Sequence, residues 1–124
     1  MSQFLSGDWL FKYKKFMRSF NFGPFDIDEV NEQAKMVGYS VLVKVTYTSA
    51  TDLILYLASG ASVSGDDHTE IVNEAGTQVT RFTATGSSIQ NFQINGLTPG
   101  TYLSLKKVSG TGTATMSFIT GSEI

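Results

Sequence analysis

At 124 residues the chain has room for one domain and an appendage, and for no more. It is 41% hydrophobic and only 16% charged, with 12 glycines, a profile unlike a helical bundle, which needs more Ala, Leu, Glu and Lys. With no cysteine, disulfides and thiolate metal centres are excluded. The formal net charge of −2 is unevenly spread. Within residues 1–25, Lys12, Lys14, Lys15 and Arg18 stand against Asp8, a net of +3; the remaining five bases and ten acids give −5. Such asymmetry is a partner signal, or the sign of a basic arm docking on its own acidic body.

Residues 1–25 form an aromatic and basic arm. Phe4, Trp9, Phe11, Tyr13, Phe16, Phe20, Phe22 and Phe25 fall here, with Leu5, Leu10 and Met17 between them. Leu5, Trp9, Phe16 and Phe20 fit a helical stripe, whereas Trp9/Phe11/Tyr13 and Phe20/Phe22 alternate as in a strand. The aromatic content and the Gly23-Pro24 break favour extended structure. The lysines follow the apolar residues and no small-residue cleavage site appears, so no signal peptide is expected. No stretch is long enough to span a bilayer.

Residues 26–38 predict one short helix or connector. Asp26 with Glu29 resembles a capping box, and Ile27, Val30, Ala34 and Val37 recur at spacings of three and four. Gly38 supplies the stop.

From residue 39 to the C-terminus the period is two. Tyr39, Val41, Val43, Val45 and Tyr47 share a face, and Leu53 to Leu57 reads as a strand covered on both sides. Residues 58–69 read as a polar loop. A short strand at 70–73, a turn at 74–76 and an alternating run at 77–85 follow, anchored by Val79 and Phe82. Phe92 and Ile94, Leu103 and Leu105, then Ala114, Met116 and Phe118 point inward, with Gly110-Thr111-Gly112 as the last hairpin turn. Six or seven short strands at roughly ten-residue intervals predict a single antiparallel β-sandwich, jelly-roll or Ig-like, over 39–124.

Between two of these strands, residues 94–105 read INGLTPGTYLSL. This resembles the G-L-x-P-G-x-Y corner of fibronectin type III, Cna B-type and pre-peptidase C-terminal-like β-sandwich domains. It departs from the fibronectin pattern, where one more residue separates proline from tyrosine. The resemblance implies that Pro99-Gly100 turns the chain and that the Tyr102 hydroxyl ties down backbone. Those families are mostly adhesion, ligand-binding or spacer modules, which implies a non-catalytic role.

Catalytic chemistry finds little footing. The single histidine, His68, could be joined to Ser62 or Ser64 and to Asp66 or Asp67, but no nucleophile-elbow spacing occurs and loop polarity accounts for all five. Asp66, Asp67, His68 and Glu70 could hold a hard cation, but their spacing matches no calcium loop, so a solvated acidic loop is expected and no metal or cofactor. The basic-aromatic arm has the make-up of a single-strand nucleic-acid strip or a membrane-surface segment, yet it is short and the chain acidic, so neither partner is expected. Glycan binding would use Tyr39 or Tyr56. The arm points instead to a protein partner, with Trp9, Phe11, Tyr13, Phe16, Phe20 and Arg18 as anchors, because large aromatics and Arg are what buried interfaces are built on. In general character the chain resembles a bacteriophage virion component such as a head-decoration, fibre or tail-attached subunit. That resemblance implies a non-enzymatic structural protein made in a host cytoplasm, in a homo-oligomer or among capsid or tail proteins.

Overall fold

The computed structural model describes residues 17–123. They form a mainly β structure around one antiparallel sheet, with strands β1 (Met17–Asp26), β2 (Val41–Gly60), β3 (Thr69–Glu70), β4 (Phe82–Ile94) and β5 (Tyr102–Glu123). β2 is central. One of its edges pairs with β5 along almost its whole length, and β5 pairs in turn with β1. The other edge is shared by β4, opposite residues 41–55, and β3, opposite Ala58 and Ser59.

Three strands are long where short ones were expected: β2 has 20 residues, β4 has 13 and β5 has 22. The stretches read separately at 39–47 and 53–57 fall, from Val41 on, within one strand, and the expected hairpin turn at Gly110-Thr111-Gly112 is a crease within another. Along one line across the sheet, β2 takes positive φ at Ser49 (53°) and Asp52 (47°), β4 at Gly86 (84°), and β5 at Gly110 (96°) and Gly112 (131°). Register slips at the same level, between Tyr47 and Leu53 on one side and between Thr48 and Leu55 on the other. Left-handed residues and inserted residues bend a strand and strengthen its twist. A side chain at Gly110 would run into the Asp52 carbonyl and Leu53 Cα, so β5 lies hard against β2 at the crease.

The bend is large. Phe82 and Phe92 lie ten residues apart in β4, which in a straight strand is ~33 Å. Their ring centroids are 5.5 Å apart, and Tyr47 completes the cluster at 6.1 Å from Phe82. β4 therefore doubles back at the crease, and buried side chains from both sides of it join one core. Val41, Val43 and Val45 line one half of β2 and Leu53, Leu55 and Leu57 the other. Ile94, Leu103, Leu105, Ala114, Met116 and Phe118 are buried with them. The alternation in the sequence foretold these inward faces except at 53–57, a stretch expected to be covered on both sides, where Ile54 and Tyr56 are only half-buried. Tyr39 does not face inward, being 70% exposed, and Val79 is exposed as well; the buried residue there is Thr80.

The helix expected at 26–38 is absent. Half of the capping signature forms, since the Asp26 amide donates to Glu29 Oε1 at 2.9 Å, but it closes a turn. Asp28 then takes φ of 64° and its amide donates to the Leu105 carbonyl at 2.7 Å. The segment continues along the exposed edge of β5, where Leu103 donates to Ala34 and Met36 donates to Thr101. Ala34, Met36 and Gly38 are buried and the residues between them exposed, a period of two. An open strand edge offers a partner to every second backbone group, and that gain outweighs a weak three-turn helix.

The corner at 98–101 forms as expected. Pro99 precedes Gly100 at φ of 89°, the requirement of a type II turn, and the Thr101 amide donates back to the Thr98 carbonyl at 3.4 Å. The tyrosine part of the corner differs. Among the described residues the Tyr102 hydroxyl has no hydrogen-bond partner; its ring instead lies 5.8 Å from the Lys35 ammonium. The local chain is already held by Met36 on both sides of the turn, so the hydroxyl has nothing left to tie.

Candidate interaction surface

Trp9, Phe11, Tyr13 and Phe16, four of the six anchors expected in the arm, lie outside the described residues. Arg18 and Phe20 stand in β1, in register with Ser122 and Thr120 of β5.

The His68 loop is a clasp. The imidazole is wholly buried, with Nδ1 2.8 Å from Ser104 Oγ and Nε2 2.9 Å from the Ser62 carbonyl. A carbonyl only accepts, so Nε2 carries the proton and Nδ1 accepts from the Ser104 hydroxyl. Ser62 Oγ donates to Asp67 Oδ2 at 2.9 Å, and Asp67 Oδ1 lies 3.8 Å from Nε2. Both ring nitrogens are thus engaged, and the one hydroxyl aimed at the imidazole is buried out of reach of any substrate. The Ser64 hydroxyl accepts from the Asp66 amide at 3.4 Å. Sequence reasoning missed Ser104, whose signal was a small polar residue between Leu103 and Leu105. Gly60 leaves the room the ring needs, since a side chain there would strike His68. Among the described residues no three His, Asp or Glu side chains converge as metal ligands, and no helix is long and apolar enough to cross a membrane.

Tyr39 and Tyr56 are not brought together. Tyr39 precedes β2, and its carbonyl accepts from the Leu97 amide. Tyr56 lies near the other end of β2, in register with Lys106. The Arg81 guanidinium covers its ring at 5.1 Å while binding Glu70 through two nitrogens, at 3.0 and 2.6 Å. Those carboxylate bonds raise the Arg81 pKa further and fix the guanidinium on the ring. That face of Tyr56 is occupied.

Two other surfaces stand out. On the outer face of the half-sheet formed by residues 41–47, 88–94 and 114–120, Lys44 sits directly between Asn91 and Ser117. With Asn21, Leu42 and Ile119 they line a groove of about 360 Å³. The second surface is β4 itself. Among the described residues it pairs only with β2, and residues 85–91 are exposed on its far side. It contains no charged residue and no proline.

Compared with known protein families, characterised proteins and solved structures, the chain matches none.

Proposed function

We propose that this is a non-enzymatic structural subunit of a larger assembly, seated in it by its N-terminal arm. In this reading the creased sheet is a β-sandwich whose two layers are halves of the same strands, and it faces outward. The observation that carries the reading is the load of the arm: Phe4, Trp9, Phe11, Tyr13, Phe16 and Phe20, interleaved with four basic residues, in an otherwise acidic chain, whereas Phe22 and Phe25 pack on Phe118 in the chain's own core. So much apolar surface is costly in water and is the usual material of interface anchors. The small, cysteine-free, Gly- and Thr-rich character supports a virion subunit, by analogy alone.

The test uses the full chain. Trp9→Ala and Phe16→Ala are expected to lower its solution mass, or its incorporation into the assembly it is isolated from, while circular dichroism and the melting midpoint hold. Normal assembly by both variants removes the arm from the argument.

Glycan binding is the second reading, favoured by the groove around Lys44, where amide, hydroxyl and ammonium groups adjoin Leu42 and Ile119. A glycan array hit weakened by Asn91→Ala would support it. An array blank across broad glycan classes would remove it.

A further inference from the structure

The two long edges of the sheet are treated differently. β1 carries Pro24, a register shift between Phe22 and Phe25, and the charge of Asp26, all devices that keep other strands away. β4 carries none of them beyond its crease. From Ser88 to Ile94 its register with β2 is unbroken, its side chains are uncharged, and its outer backbone groups find no partner among the described residues. Beyond the crease the edge is regular and neutral, a template for another strand.

We infer that this edge pairs with β4 of a second copy. Residues 87–91 of the two chains run antiparallel across a two-fold axis, joining two sheets into one. Neutrality selects the occupant: a charged peptide finds no counter-charge on the strand, whereas a second copy brings none to repel. The register follows from the side chains. Directly opposed residues share a face, so the axis passes through a residue pair. With the axis at Ile89, that side chain meets its own counterpart, which covers an apolar group now 49% exposed. Ser87 then opposes Asn91, and Ser88 opposes Gln90, hydrogen-bonding groups against their like. The contact is separate from the arm and stands whether or not the arm docks.

The experiment is sedimentation velocity on the full chain across the micromolar to millimolar range. The wild type is expected to dimerise with concentration. Ile89→Lys alone and Ile89→Glu alone should each weaken the dimer at least tenfold, because like charges then lie opposite each other. An equimolar mixture of the two should restore it. Ile89 is exposed, so melting midpoints near wild type will show that the fold is intact. Trp9→Ala should keep the edge dimer, which separates this contact from the arm. A wild type with no concentration-dependent mass overturns the inference. So does an Ile89→Lys chain that dimerises as tightly as wild type, or a mixture that stays monomeric.

Discussion

Where β4 has left β2 and β3 has not yet reached it, the Leu57 backbone would be buried without a strand partner. Thr80 fills the gap. Its Oγ1 accepts from the Leu57 amide at 3.1 Å and lies 3.4 Å from the Leu57 carbonyl, to which it donates, while Ile71 donates to that carbonyl as well. Thr80 is 1% exposed, so Thr80→Val keeps the shape but strands the amide, at a cost of about 1–3 kcal/mol. Urea denaturation of the two proteins measures it. Glu29 makes a second prediction. Its carboxylate accepts from the Asp26 amide and then from Asn31, which together hold its pKa below the ordinary range. A depressed carboxylate contributes stability that is present above the unfolded value, roughly 4.3, and is lost as pH falls through the folded one. Glu29→Gln should therefore narrow its stability gap to wild type as pH drops below about 4. The effect is small, because the group is solvated. A gap that stays constant from neutral to acid pH would contradict the assignment.

At the scale of elements, the crease is the feature that decides the fold. Two of its three strands meet the demand for positive φ with glycine, and β2 meets it with Ser49 and Asp52. A non-glycine residue in the left-handed region costs about 1–2 kcal/mol, so Ser49→Gly is expected to stabilise by up to about 1 kcal/mol. Gly110→Ala should do the opposite and more strongly, costing roughly 2 kcal/mol or more, since strained φ adds to the collision with the Asp52 carbonyl. Chemical denaturation of both variants checks the pair, and equal effects of the same sign would contradict the crease. This is also where the sequence misleads. Gly110-Thr111-Gly112 has the composition of a hairpin turn. Residues that permit positive φ serve a turn and a bulge equally, and composition cannot tell whether the chain reverses or merely bends.

For the whole molecule, β2 and β5 run unbroken through both halves, and one apolar cluster from Phe25 to Phe118 joins them. The halves have no separate cores, so unfolding is expected as one transition. Far-UV and near-UV circular dichroism should superimpose across a denaturant titration, and transitions that separate would mean that the halves fold independently. Much of this was legible beforehand: the β class, the inward faces of β2, β4 and β5, and the turn at Pro99-Gly100 follow from alternation and local sterics, which act within a few residues. The sequence predicts a polar loop at 58–69, but residues 58–60 belong to β2 and Thr69 to β3, which leaves 61–68 between them. What needed the tertiary structure were the events between distant segments. The edge of β5 drew residues 27–36 out of a helical pattern. Ser104 and His68 met from 36 positions apart. Tyr56 passed under Arg81, and β4 was left as an open edge. A side chain's period reports which face it takes, whereas its partner depends on which strands become neighbours, and that is settled only when the sheet folds along its crease.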